Sequence, residues 1–301
     1  LNLRDALPGA AWLSEKVTGL SAKRRLPRWR TDIFWRTTES TSQESLDQVL
    51  QRAQRREKTV ALFVDTFNGN FETENVQAAL RVLHSAGYSV HIPRAEQGAL
   101  CCGRTYLATG RLEVARERLA QLTEVLLPLA QAGVPIVGLE PSCVLTLRDE
   151  ALALGLGEAA RTVSTQVYLF EEFVAREAAA GRFAARFGPI DRPILVHGHC
   201  HQKAHAAIRP LLDAVALVPG ANPQLVETSC CGMAGSFGYE KEHYVLSMQM
   251  AEASLLPALR KEPGAIVVAS GTSCRHQIAD GASREAIHLA LFLDQYRSPS
   301  R

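Results

Sequence analysis

The stretch Cys230-Cys231-Gly232-Met233-Ala234-Gly235-Ser236-Phe237-Gly238 decides how the rest of the chain is read. Adjacent cysteines rarely bridge each other, because the ring would strain the peptide between them. Their side chains can still converge on one ion where the backbone turns sharply, and Gly232 and Gly235 permit such a turn. Upstream, the run from Pro223 to Ser229 predicts a short buried strand. Downstream, the pattern predicts a long helix from about Tyr239 to Arg260. The paired thiols therefore fall where a strand ends and a helix begins, the place where open α/β sheets bind ligands. A helix N-terminus at that place lowers thiol pKa and favours the thiolate.

Working outward, the same order appears twice. In the second half, strands at Pro193–Val196, Gln224–Thr228 and Ala265–Ala269 end in His197-Gly198-His199-Cys200, Cys230-Cys231-Gly232 and Gly271-Thr272-Ser273-Cys274. Helices are predicted from about Gln202 to Leu217 and Arg284 to Tyr296. In the first half, strands at Val60–Val64, Tyr88–Ile92 and Val134–Leu139 lead to Asp65-Thr66, Cys101-Cys102-Gly103 and Glu140-Pro141-Ser142-Cys143. Helices there run from Asn75 to Ala86 and, after Cys101-Cys102-Gly103, to about Ala132. The two Cys-Cys-Gly triplets start 129 residues apart, and Cys143 precedes Cys274 by 131. Strands alternating with helices imply parallel pairing. The expected fold is α/β: two pseudo-repeated lobes with mainly parallel sheets flanked by helices, and cysteines at the carboxyl ends of strands. The expected divisions are 1–58 (a basic linker and approach helix), 59–150 (first lobe), 151–189 (a helical connection) and 190–301 (second lobe).

The length of 301 residues allows an ample core, and a net charge of +2 argues against nucleic-acid binding driven by overall charge. No run of about 18 apolar residues marks a membrane span. Without a secretory signal, seven cysteines point to a reducing compartment and a metal or redox role rather than a disulfide framework. A cytoplasmic protein, or one held peripherally at the inner membrane, is expected. The chain starts at Leu1, which suggests a piece of something longer. Residues 1–58 interleave Arg24, Arg25, Arg28, Arg30 and Arg36 with Pro27, Trp29 and Trp35. Thr38–Gln43 is polar and flexible in character, and Ser45–Arg56 suits a charged helix. The two tryptophans belong either to a linker or to a surface packed on a neighbouring domain.

All seven cysteines take equivalent slots. The second half fills four (Cys200, Cys230, Cys231, Cys274) and the first fills three (Cys101, Cys102, Cys143), with Thr66 in the slot that matches Cys200. Four thiolates suit zinc or an iron–sulfur cluster alike. His197, His199, His201 and His205 surround Cys200, and His276 follows Cys274. They either bind the metal or, the preferred reading, hydrogen-bond the thiolates around it. Arg104, Arg148 and Arg275 follow their cysteines closely, and either offset thiolate charge, hold a substrate carboxylate or lie on the surface. A fourth donor for the first site must come from Asp65, Glu140, water or nothing. A three-thiolate site with an open position suits entry of a ligand.

The doubled pattern resembles the cysteine-rich CCG domain found in heterodisulfide reductase and in the iron–sulfur subunit of glycolate oxidase. It is more similar still to the C-terminal part of bacterial FAD-linked oxidase/iron–sulfur fusion proteins of the D-2-hydroxyglutarate or D-lactate dehydrogenase type. The stretches that carry it are Leu62–Asn68, Cys101–Thr105, Gly138–Cys143, His197–Lys203, Ser229–Gly235 and Gly271–Gln277. The resemblance spans about Thr59 to Tyr296. It implies a 4Fe-4S or other iron–sulfur centre, electron transfer from FAD on an upstream domain, and a ferredoxin-like domain upstream as well. It further implies oxidation of a 2-hydroxy acid at the flavin. The fuller family pattern ends in C-x-x-C, whereas this chain has Glu140 and Gly271 at the first of those positions.

Overall fold

The computed structural model describes residues 2–38, 44–95 and 99–298. Its first strand shows how the core is divided. In β1 (Thr59–Phe63) every residue is buried, and side chains alternate between two faces. Val60, Leu62 and the following Val64 enter a core shared with the second half, while Ala61 and Phe63 enter an outer core with Cys102 and Cys143. The second half repeats this division. In β5 (Ile194–Val196), Ile194 and Val196 face the shared core, and Leu195 joins Cys231 and Cys274 in a third cluster.

The first sheet has the order β2-β1-β3-β4, with β2 at Ser89–His91, β3 at Ile136–Gly138 and β4 at Val167–Leu169, all parallel. The second has the order β6-β5-β7, with β6 at Pro223–Leu225 and β7 at Ile266–Val268, also parallel. Ile287 forms a parallel bridge to Val268 and holds the position that β4 holds in the first sheet. The segment 151–189 therefore does more than connect: it supplies β4 and the helix Phe170–Ala179, the counterparts of Ile287 and the helix Leu289–Gln295. The helix Thr73–Ser85 of the first unit packs on Leu289–Gln295 of the second. Reciprocally, Ile208–Val215 of the second packs on Phe170–Ala179 of the first. That exchange is what a pseudo-two-fold relation between the units requires.

Several predicted helices are split, each for a local reason. The span Gln202–Leu217 becomes Cys200–Ala204 and Ile208–Val215, with Ala206 at φ 55 between them. The span Tyr239–Arg260 becomes Tyr244–Glu252 and Leu255–Lys261, preceded by a 3-10 turn at Phe237–Tyr239. Pro210 and Pro257 sit in the first turn of each second piece, where a missing N–H costs nothing; in a continuous helix each ring would clash with a carbonyl four residues back. The first-half helix breaks at Gly110, φ 74, into Arg104–Ala108 and Leu112–Gln131. The strand expected over Pro223–Ser229 is shorter, and Gln224 and Leu225 are exposed because β6 is an edge strand, where proline is tolerated.

Residues 1–58 are bound to both units. Short helices occupy Asn2–Ala6, Ala10–Thr18 and Leu46–Gln54. Phe34 is fully buried in the shared core. Arg24 is buried within the second unit, where its guanidinium donates to Gly238 O and Ser247 Oγ, both at 2.8 Å, and pairs with Asp280 at 3.2 Å. Trp29 meets Phe71 edge-on at 5.3 Å and stays exposed; Trp35 meets Phe34 edge-on at 5.5 Å. Residues 39–43 of the polar stretch lie outside the described residues. Among the described residues no helix is long and apolar enough to cross a membrane.

Candidate metal centre

Each unit has three chain turns at the carboxyl edge of its sheet; the second unit carries cysteines on all three, the first on two, with Thr66 on the other. The first turn follows the central strand. Asp65 caps the helix Thr66–Asn70, accepting from the N–H groups of Phe67 (2.9 Å) and Asn68 (3.1 Å) and from Asn68 Nδ2 (2.7 Å). His199 caps Cys200–Ala204 in the same way: its Nδ1 accepts from His201 N at 3.2 Å, and its own N–H donates to Gln202 Oε1 at 2.7 Å. Asp65 and His199 are thus equivalent, as are Thr66 and Cys200.

The second turn is the Cys-Cys-Gly triplet. Gly103 and Gly232 take φ 75 and 87, and their N–H groups point back at the sulfurs of Cys101 (3.4 Å) and Cys230 (3.3 Å). A Cβ at Gly103 would lie 2.8 Å from Ala115 O, and one at Gly232 would lie 2.3 Å from Ser247 O. Backbone angle and close packing therefore both demand glycine here. The third turn starts the helices Pro141–Arg148 and Thr272–Ala282, in which Cys143 and Cys274 each hold the third place.

In the second unit the thiols form a chain of contacts: Cys200 to Cys230, Cys230 to Cys231, Cys231 to Cys274. Contact with Cys200 and Cys231 pulls the Cys230 pKa down, and contact with Cys231, then the nearby His197 and His199, pulls Cys274 down. Cys200 and Cys231 are pushed up by those same contacts and by burial. A set of this kind releases protons readily to a cation that binds several sulfurs at once. His197 joins it: donor atoms of His197, Cys231 and Cys274 lie within 4.8 Å of one another, all buried. His199 Nδ1 is 3.8 Å from Cys200 Sγ. Its ring fills the space beside Gly271, where an added Cβ would approach to 2.4 Å.

The first unit brings Cys101, Cys102 and Cys143 into a similar chain of contacts. Contact with Cys102, then burial, pushes Cys101 up. Contact with Cys102 lowers Cys143, but burial and the charges of Asp65 and Glu140 outweigh it, leaving Cys143 at about 11. Burial and then Glu140 raise Asp65 to about 6. This trio is less prepared to ionise than the second-unit thiols. Glu140 is also committed elsewhere: Oε1 accepts from Ser142 Oγ at 2.8 Å, and Oε2 accepts from Thr272 N at 2.8 Å.

The remaining residues singled out from the sequence lie around the second site and between the units. His201 Nε2 is 3.1 Å from Arg104 of the first unit, and Arg104 also pairs with Glu150. Arg148 pairs with Glu172 at 2.7 Å. Arg275 is buried and pairs with Glu72; it also donates to Ala269 O and Ser270 O at 2.8 and 2.7 Å. His276 contacts Tyr239 OH through Nδ1, with Nε2 3.9 Å from Glu72. Glu72 was not foreseen. Burial works to raise its pKa, yet Arg275 prevails and holds it down at about 2. Its main partners, Thr272 and Arg275, lie some 200 residues on, so nothing local in the sequence marks it.

Residues 194–279, which hold the second sheet and its four cysteines, match the family model for the CCG cysteine-rich domain. Over 98% of its length the chain is similar to one subunit of the anaerobic glycerol-3-phosphate dehydrogenase of Escherichia coli K12, at 23% identity and spanning 71% of that protein. It is 27% identical over 75% of its length to the D-2-hydroxyglutarate dehydrogenase of the same strain. It is 28% identical over 80% of its length to that of Pseudomonas putida KT2440. It spans 21% and 23% of those two proteins, so it matches only a part of them.

Proposed function

We propose that this chain is the cysteine-rich iron–sulfur module of a flavin-linked 2-hydroxy acid dehydrogenase. Its task is to receive electrons from FAD carried outside the described chain. The observation that carries the reading is the connected set Cys200, Cys230, Cys231 and Cys274 at the carboxyl edge of the second sheet. An iron–sulfur cluster bound there supplies one-electron acceptance and release. Glycerol 3-phosphate and D-2-hydroxyglutarate, named for the relatives, are both secondary alcohols, whose oxidation releases two electrons to be taken up one at a time. His199 and the glycine N–H groups hold the sulfurs in place, while Glu72 with Arg275 fixes the helix that bears Cys274.

The first unit, with Cys101, Cys102 and Cys143, is the weaker site. Asp65 and Glu140 are the carboxylates beside it, and both are engaged by backbone N–H groups. Carboxylates also match a soft ion poorly. This site is therefore empty, labile or open to substrate.

The alternative is a zinc-stabilised docking domain of the same protein, without a redox role. The close approach of His197, Cys231 and Cys274 favours it, since three such donors and a fourth thiolate suit tetrahedral zinc. Iron, zinc and acid-labile sulfide measured on anaerobically purified protein decide the matter. Iron with sulfide is expected; zinc alone would replace the redox reading with the structural one. The chain by itself is expected not to oxidise D-lactate or D-2-hydroxyglutarate with a dye acceptor, and turnover would overturn that.

A further inference from the structure

His197 holds the place in the second unit that Phe63 holds in the first. Each is the residue that precedes the helix-capping residue by two, Asp65 in one unit and His199 in the other. Both side chains lie on the sheet face where the unit's cysteines are found: Phe63 in the apolar cluster with Cys102 and Cys143, His197 beside Cys231 and Cys274. Where the first unit has a hydrocarbon ring against its sulfurs, the second has an imidazole.

That imidazole has an unused nitrogen. His197 is 1% exposed, and Nε2 has no hydrogen-bond partner among the described residues. Buried polar atoms are nearly always paired, so this nitrogen, on a ring that lies beside the sulfurs of Cys231 and Cys274, calls for a partner at that site. The other nitrogen, Nδ1, is 3.3 Å from Thr228 Oγ1, which already accepts from Lys203 Nζ at 2.8 Å. A hydroxyl oxygen has two lone pairs, so it can accept from both Lys203 and an Nδ1–H. With the proton on Nδ1, Nε2 carries a free lone pair. Metal-bound histidines show this arrangement, one nitrogen on the metal and the other donating to oxygen. The backbone keeps the ring in place, since His197 N donates to Val268 O at 2.9 Å across the sheet.

The geometry points to His197 Nε2 as a direct ligand of the second-unit metal centre, beside Cys231 and Cys274. This assignment rests on the metal-centre reading proposed above. It also supplies a donor in a unit whose Gly271 lacks the side chain that a cysteine would bring. Imidazole in place of thiolate raises the potential of an iron–sulfur centre, so a cluster held by His197 accepts electrons more readily than one held by thiolates alone.

The test is made on anaerobically purified protein with histidine selectively labelled with 15N. For an iron–sulfur centre, pulsed EPR of the reduced state reads whether a histidine nitrogen is bonded. For zinc, X-ray absorption reads whether a nitrogen lies at about 2.0–2.1 Å among sulfurs at about 2.3 Å. A bonded nitrogen is expected in the native protein. In His197→Phe, which copies the first unit, it should be lost while metal remains. In His197→Cys it should be replaced by sulfur, with a lower reduction potential. A weak coupling of the kind an N–H to sulfur hydrogen bond gives, or a strong one that survives His197→Phe and vanishes in His199→Gln, would overturn the assignment alone. Protein that holds neither iron, sulfide nor zinc would remove the metal-centre reading and this assignment together. Should His197→Phe fail to fold, the labelled native protein and His199→Gln still give the answer.

Discussion

Glu140 of the first unit accepts the backbone N–H of Thr272 of the second at 2.8 Å, so a carboxylate from one half caps the helix that carries Cys274 in the other. Its second oxygen meanwhile holds Ser142, at the start of the helix that carries Cys143. One side chain therefore fixes the entry of both helices. A buried acceptor removed from an N–H costs about 1–3 kcal/mol, because the donor loses its partner without regaining water. Glu140→Ala should lower the unfolding free energy by that amount, read as a lower urea midpoint at unchanged slope. Glu140→Gln, which keeps the shape and one acceptor oxygen, should cost less than half as much. Equal losses in the two variants would show that keeping the shape and one acceptor oxygen recovers nothing of the cap.

The two sites should respond unequally to loss of a cysteine. Cys231 is in contact with both Cys230 and Cys274, so Cys231→Ser breaks the chain of sulfurs in the middle. Metal bound only by the folded state stabilises that state, and its loss should lower the melting temperature as well as the metal content. Cys102→Ser should leave metal content nearly unchanged, yet on the proposed function is expected to reduce activity of the full-length enzyme. Elemental analysis of the two variants checks the ranking, and equal metal loss from both would reverse it.

The repeat was legible because strand ends and cysteines share one order in both halves, and the continuous apolar runs of β1 and β5, buried on both faces, need only local pattern. The site was legible for a related reason: a thiol at a strand end is readable wherever the strand is. What escaped was set by contacts distant in sequence. Glu72 and Glu140 matter through Thr272 and Arg275 of the other unit. Ile287 completes the second sheet through a single bridge, too short to appear as a strand pattern. Residues 1–58 read as a linker because arginine is ordinarily a surface residue. Burial of Arg24 depends on acceptors more than 200 residues away.

Arg24 offers a direct test of how firmly that N-terminal segment is held. Its guanidinium is enclosed by Gly238 O, Ser247 Oγ and Asp280, and lies over the ring of Tyr244 at 5.0 Å. Arg24→Ala leaves a cavity, an unpaired Asp280 and unsatisfied acceptors. Breaking a buried pair in this way costs about 3–5 kcal/mol. Arg24→Lys keeps the charge but not the fork of donors, and should recover only part of that. Limited proteolysis should cut the first 30 or so residues of Arg24→Ala faster than those of the native protein, and unchanged cleavage would mean that Phe34 alone anchors the segment.

The last prediction concerns acid. His288 is fully buried between the units; its Nδ1 accepts from Ala290 N at 2.9 Å, which leaves the proton on Nε2 to be donated to Leu139 O at 3.1 Å. Burial, helped by the charge of Arg275, pushes its pKa down to about 3. In the unfolded chain the ring titrates at about 6.5. Between those values the unfolded state binds a proton that the folded state does not, so stability rises with pH across this window and falls as the pH is lowered through it. Above 6.5 both states are neutral at this residue, and its contribution is constant and fully present. By pH 4.5 the loss should be about 2–3 kcal/mol, from about 1.4 kcal/mol per unit of pH below the unfolded value. His288→Gln removes the titrating ring and should lower stability at pH 7, through loss of the two bonds, while flattening the slope below pH 6.5. Urea unfolding of both proteins at pH 7, 6, 5 and 4.5 separates the contributions, because every other titrating group is common to the pair. A stability difference between native and variant that stays constant over that range would show that His288 carries no share of the acid sensitivity.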